Sequence, residues 1–116
     1  MVHLHSTHSV AVSVLAEINS DDALPPLTAY YIMRVGSSPL VPYFPPGEPT
    51  LADAVRGLAT RHHAMLLANH GPVVTETSFS AATDAIEELE ATARLYLLLR
   101  GERLRLLMHE QVAELR

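Results

Sequence analysis

Val2-His3-Leu4-His5-Ser6-Thr7-His8 places three imidazoles within six residues near the start of the chain. Written as a strand from Val2 to His5, the segment alternates with period two, so His3 and His5 project from one face and Leu4 from the other. Two imidazoles so placed can share a divalent metal. A third nitrogen ligand would complete a three-histidine set with an open position, which suits a catalytic zinc. The candidate is His70, in Leu66-Leu67-Ala68-Asn69-His70-Gly71-Pro72. There an apolar run, a polar pair and a Gly-Pro break put the histidine at the end of a buried strand, where sites of α/β proteins form. Neutral imidazole suits zinc, and no softer ligand competes because the chain has no cysteine. The plainer alternative is that histidines so closely spaced are chance or tag residue.

Other side chains carry two readings each. His8 falls one helical turn past His5 if a helix starts at Ser6. It either lines the site or supports a ligand from behind, or it is a buried histidine with satisfied nitrogens. His62 and His63 sit at a helix end, where the dipole favours a cation, and read as surface residues. His109, on the terminal segment, reads the same way. Tyr30 and Tyr31 lie in a stretch poor in polar residues, where tyrosine usually packs with its hydroxyl satisfied. Arg34, the lone cation of that segment, either holds a substrate carboxylate through paired bonds or is solvated. Asn69 either orients substrate beside His70 or fixes the turn. Glu87, Glu88 and Glu90 read as the wet face of a helix, with Glu90 and Arg94 as an i,i+4 pair. No Gly-rich phosphate loop with a following lysine is present.

The elements that must position these residues follow from periodicity and punctuation. Ser6 or Thr7 caps a helix through about Glu17, with Val10, Ala11, Val14, Leu15 and Ile18 facing a core. Pro25-Pro26 prevents a helix from running through. Thr28 to Val35 reads as a strand or a short helix, the helix preferred, and Gly36-Ser37-Ser38 breaks it. Leu40 to Tyr43 reads as a short strand, with Pro42 marking an edge or an end. Thr50 with Asp53 is a capping signature for a helix to about Thr60, with Leu51, Val55, Leu58 and Ala59 inward. Ala64–Asn69 and Val73–Thr75 are strands, joined in a hairpin by Gly71-Pro72. Thr77 or Ser78 caps the clearest helix, in which Phe79, Ala82, Ile86, Leu89, Ala93 and Tyr96 step by three and four. Gly101 stops it. A terminal amphipathic segment with Leu104, Leu107, Val112 and Leu115 needs a surface to pack on, such as a neighbouring subunit.

A length of 116 residues fits one small domain or part of one, and a hydrophobic fraction of 48% is that of a globular chain. A net charge of −5 argues against nucleic acid as a partner. It leaves a phosphorylated small molecule open, since a few local cations or backbone N–H groups bind phosphate. The absence of cysteine removes disulfide and thiolate chemistry and is compatible with the cytoplasm. No apolar run has the length of a membrane span, and no secretory segment is present. A metal motif that begins at residue 2 leads to the expectation that an upstream portion of the domain is missing.

His3-Leu4-His5-Ser6-Thr7-His8 resembles the H-x-H-S-x-H metal motif of the class II aldolase/adducin family of zinc-dependent sugar-phosphate enzymes, and Asn69-His70-Gly71 resembles its later H-G motif. The resemblance covers almost all of this chain but only the C-terminal half of a family member. Within the family, Pro26-Leu27-Thr28-Ala29-Tyr30-Tyr31-Ile32-Met33-Arg34-Val35-Gly36 and Val41-Pro42-Tyr43-Phe44-Pro45-Pro46-Gly47 look most like the 3-oxo-tetronate 4-phosphate decarboxylases. The resemblance implies an α/β chain, the C-terminal part of a three-layer αβα class II aldolase-like fold with a central mixed or antiparallel sheet. It implies one Zn2+ per subunit on His3, His5 and His70, a phosphorylated sugar-acid substrate, and a cytoplasmic homotetramer with sites between subunits. Counting back from Gly36, Tyr30 falls where the family's sugar-phosphate aldolases carry a tyrosine that donates a proton from an adjacent subunit. The implied activity is that of a lyase whose metal stabilises an enediolate, produced by loss of carbon dioxide from a 3-oxo acid. Retro-aldol cleavage produces the same species, so an aldolase or epimerase is the enzymatic alternative. Family members carry an acidic base and the main phosphate loop upstream of the metal motif. Residues 1–116 therefore read as a partial domain, inactive alone. A non-catalytic, adducin-like assembly domain is disfavoured by the intact histidine set, and an inactive truncated fragment is the remaining alternative.

Overall fold

Ala64-Met65-Leu66-Leu67 alternates across a sheet whose two faces are both covered, which is why all four residues are buried. A computed structural model describes residues 1–116. The chain runs β1 (Val2–His3), α1 (Thr7–Val14), α2 (Ala29–Arg34), β2 (Leu40–Val41), α3 (Pro49–Ala59), β3 (Ala64–Leu67), β4 (Gly71–Val74), α4 (Phe79–Leu99) and α5 (His109–Glu114). The sheet order is β1-β4-β3-β2. β4 is antiparallel to both β1 and β3, whereas β2 lies parallel to β3 at the edge, so the sheet is mixed. Ala64, Leu66 and Val74 face one way, into a core with Val12 of α1, Tyr31 and Ile32 of α2, and Ala82, Ile86, Leu89 and Ala93 of α4. Met65, Leu67 and Val73 face the other way, against Val55 of α3. The result is the α/β, three-layer arrangement expected from the resemblance.

Several local expectations need correction. The first strand ends at His3, not His5. The ladder pairs Val2 with Val74 and His3 with Val73, and the next partner would be Pro72, which has no N–H to give. The hairpin turn is Ala68–His70, not Gly71-Pro72, which open β4. Asn69 takes the left-handed conformation (φ 57°) that a three-residue hairpin loop requires.

α1 stops at Val14 and buries Ser9, Val12 and Ser13, not the valine-rich face expected from spacing. Small residues on that side let the helix approach α4 closely. Thr50 does not cap α3. Glu48 is the N-cap and Pro49 supplies the fixed φ of the first turn, while Asp53 pairs with Arg56 on the surface. Ser78 caps α4, one of the two residues expected to, accepting from the Ala81 N–H, and Thr28 caps α2, accepting from the Tyr31 N–H. Phe79, at the first position of α4, projects away from the core and is exposed. The terminal segment packs on its own chain: Leu107, Val112 and Leu115 lie against the first core, and the Leu107 N–H donates to the Pro26 carbonyl at 3.0 Å.

Candidate metal centre

The strand pairing puts His3 opposite Val73, so its side chain leaves the sheet on the α3 side. The β3–β4 turn ends at His70, whose N–H donates to the Leu67 carbonyl at 3.1 Å. Between β1 and α1 the backbone of Leu4 and His5 crosses directly over Gly71. A Cβ at that glycine would stand 2.6 Å from the Leu4 carbonyl oxygen and 3.6 Å from the His5 Cα. Only a residue without a side chain allows this approach. It brings three rings together: the centroids lie 5.0 Å apart for His3 and His5, 4.7 Å for His3 and His70, and 5.2 Å for His5 and His70.

One nitrogen from each ring lies within 4.8 Å of the others. His3 Nδ1 stands 2.8 Å from the Pro72 carbonyl. A carbonyl only accepts, so Nδ1 carries the proton and Nε2 keeps its lone pair, the outer-shell orientation typical of a metal-bound histidine. That Nε2 lies 3.1 Å from His70 Nε2. Two nitrogens on one tetrahedral zinc, each at about 2.05 Å, are about 3.3 Å apart. Burial, reinforced by the neighbouring imidazoles His3 and His5, holds His70 below its ordinary pKa, so the ring favours the neutral form that a metal needs. The donor set therefore fits a divalent metal. The cluster contains three imidazoles and no carboxylate.

The other predicted residues fall elsewhere. His8 does not join the cluster; its Nδ1 pairs with Glu90 at 2.8 Å. Tyr30 is exposed on α2, and the Arg34 guanidinium lies over its ring at 5.0 Å. Arg34 also approaches Glu88 at 3.6 Å. Neither Tyr30 nor Arg34 contacts the imidazoles within this chain. Asn69 fixes the turn through its backbone, donating to the Ser13 carbonyl at 3.2 Å, and its carboxamide is exposed beside His70. His62 and His63 are tied down rather than free: His62 Nδ1 meets the Ser37 hydroxyl at 2.9 Å, and His63 Nε2 meets the Val35 carbonyl at 2.6 Å. His109 is exposed at the start of α5.

Two contributors were invisible to motif reading. The Pro72 carbonyl orients His3, and a backbone acceptor leaves no mark in a sequence. Glu90 is not on a wet face paired with Arg94: both of its oxygens are engaged by the first turn of α1. The available signal was the absence of any acidic residue in the first turn of α1, which leaves helix N–H groups in need of an acceptor from elsewhere.

Comparison with known proteins follows the same line. The model of the class II aldolase and adducin N-terminal domain matches residues 1–97. The chain is 48% identical over 115 residues to the 3-oxo-tetronate 4-phosphate decarboxylase of Pectobacterium atrosepticum, covering 99% of this chain and 53% of that protein. Among solved structures it superposes on YgbL from Klebsiella pneumoniae with a TM-score of 0.94 at 48% identity, covering 98% of this chain and 55% of that one. An L-fuculose 1-phosphate aldolase shares the fold, with a TM-score of 0.84 at 24% identity over 97% of this chain and 51% of that one. The chain thus spans about half the length of the curated relatives it matches.

Proposed function

The chain belongs to the class II aldolase and adducin family, and on that premise we propose that it carries the metal centre of a carbon–carbon lyase that decarboxylates a 3-oxo-tetronate 4-phosphate. The observation that carries the proposal is the convergence of His3, His5 and His70 with ligand nitrogens within 4.8 Å of one another. Identity of 48% to a decarboxylase of that substrate supports the choice among lyases. We take the metal to be zinc, because three nitrogen donors with an open side suit it. When bound, the ion supplies a Lewis acid toward substrate oxygen.

The chain's own residues have separable tasks in this proposal. His3 is held in one tautomer by Pro72, and His70 is kept neutral by its surroundings. The exposed carboxamide of Asn69 bonds a substrate hydroxyl at the rim. Tyr30, exposed on α2, serves a neighbouring copy in a homotetramer, its phenol returning a proton to the carbon that has lost carbon dioxide. The Arg34 guanidinium takes an anionic substrate group by exchanging its contact with Glu88. The general base and the phosphate loop are assigned to the part of the curated relatives that this chain does not span. No helix is long and apolar enough to cross a membrane.

The test is carbon dioxide release from a 3-oxo-tetronate 4-phosphate at fixed zinc loading. It is measured for residues 1–116 alone and for these residues joined to the remaining half of the Pectobacterium relative. Turnover is expected only in the joined form, because loss of a positioned base costs about two to four orders of magnitude. Aldehyde release from a ketose 1-phosphate without decarboxylation would transfer the assignment to an aldolase. Absence of both activities in a zinc-loaded joined form would favour an assembly role.

A further inference from the structure

α1 begins with N–H groups that have no helical partner. Its N-cap, Ser6, makes no side-chain cap bond. Glu90 of α4 supplies the acceptors instead. Oε2 accepts the His8 backbone N–H at 3.0 Å and faces His8 Nδ1 at 2.8 Å. Oε1 accepts the Ser9 backbone N–H at 2.8 Å and its hydroxyl at 2.9 Å. The backbone groups of His8 and Ser9 occupy the second and third helical positions, which a capping side chain ordinarily serves. A carboxylate there is also favoured by the helix dipole. Glu90 is therefore the N-terminal cap of a helix remote from it in sequence.

The placement of that helix matters for the metal site. Leu4, His5 and Ser6 form a bridge between two fixed points, the β1 pairing of His3 with Val73 and the first turn of α1. The His5 ring makes no hydrogen bond of its own, unlike His3, so its position is set by the two ends of the bridge and by the backbone contact over Gly71. We propose that Glu90 is a positioning residue for the metal centre: by pinning the first turn of α1 to α4 it fixes the far end of the bridge and holds the His5 imidazole within reach of His3 and His70. This inference rests on the metal assignment made above.

The experiment compares Zn2+ affinity, by competition with a chromogenic chelator, and the visible absorption of the Co2+ form in the wild type, Glu90→Ala, Glu90→Gln and Val55→Ala. Glutamine keeps an acceptor for Ser9 but turns an amide donor toward the His8 N–H. Val55→Ala opens a cavity under α3, on the opposite face of the sheet from α4 and Glu90, and controls for lost stability. The expected result is a drop in Zn2+ affinity of about tenfold to a hundredfold for Glu90→Ala, a smaller drop for Glu90→Gln, and a Co2+ spectrum shifted in both, with Val55→Ala unchanged. Wild-type affinity and spectrum in a folded Glu90 variant would overturn the proposal. So would an equal loss in Val55→Ala, which would make the effect one of general stability. If Glu90→Ala does not fold, Glu90→Gln decides. Failure of the wild type to bind either ion would instead bring down the metal assignment itself.

Discussion

His3 and His5 at one end of the chain and His70 far along it reach one point, whereas Tyr30 and Arg34 are neighbours on α2, where Arg34 meets Tyr30 and Glu88. In the histidine cluster the backbone does the placing: a ladder pair, a hairpin turn and a close approach over a glycine. On α2 the backbone fixes only the buried side. Tyr31 is fully buried with its hydroxyl 2.6 Å from Ser38 Oγ, while the adjacent Tyr30 is 58% exposed. In the proposed metal site the three ligand nitrogens converge within the chain. The roles proposed for Tyr30 and Arg34 depend on what a neighbour brings to that exposed face.

The largest effect expected from breaking this contrast is at Gly71. Gly71→Ala drives a methyl into the Leu4 carbonyl and lifts His5 away from its partners. Zinc affinity should fall by more than about tenfold, and the strain should cost about 1–3 kcal/mol of stability. Calorimetric titration and thermal unfolding measure the two losses. Gly57 offers the counter-case: nothing lies within 4 Å of an added Cβ. Gly57→Ala, inside α3, should raise stability by about 0.5–1 kcal/mol and leave metal binding alone.

Next in size is the pair of tyrosines. Tyr31→Phe removes a hydroxyl bonded to the buried Ser38 and should cost about 1–3 kcal/mol in denaturant unfolding, without altering zinc binding. Burial, with Asp22 nearby, pushes the Tyr31 phenol well above its ordinary pKa, and its hydroxyl is enclosed against Ser38. Tyr30→Phe should change stability by less than about 0.5 kcal/mol. In the joined, assembled form it should nonetheless cut carbon dioxide release. Equal effects of the two substitutions on turnover would erase the distinction drawn between them.

A smaller effect concerns pH. Burial pushes the Glu90 carboxyl up, but the hydrogen bonds from His8 and Ser9 outweigh it and leave the group below its ordinary value of 4.5. The linkage therefore has one sign. Glu90 adds stability that is fully present above the unfolded value and is lost as pH falls through the lower folded value. Between about pH 6 and about pH 3 the wild type should lose more stability than Glu90→Gln, in which that linkage is absent. Parallel losses would show that the anchor carries no net charge effect. Glu87 and Arg94 line the same groove as Glu90 and are common to both proteins.

Legibility in the sequence followed the same division. The H-x-H spacing and the apolar run before Gly71-Pro72 pointed to His3, His5 and His70, but His5 arrives on the bridge that follows β1 and crosses Gly71, not on an alternating strand. The three layers were expected from the family resemblance, while periodicity marked only their parts, the buried strand Ala64–Leu67 and the stripe of α4. What escaped was tertiary. β1 stops at His3 because its next partner is Pro72, a fact about register. α1 turns Ser9 inward because Glu90 of α4 carries an acceptor for it, while the inward Ser13 hydroxyl donates to the Val10 carbonyl of its own helix. That glutamate lies four residues after Ile86, at the margin of the buried stripe, where periodicity does not separate a solvated carboxylate from a capping one.

The central claim is that His3, His5 and His70 hold one divalent metal. Its most direct test is metal content and Zn2+ titration of the purified chain at neutral pH, beside His3→Ala, His5→Ala and His70→Ala. The account predicts one zinc per wild-type chain and loss of stoichiometric binding in each variant, with His8→Ala retaining the ion. Retention of a full complement of zinc in all three alanine variants, or its loss on replacing His8 alone, would contradict it.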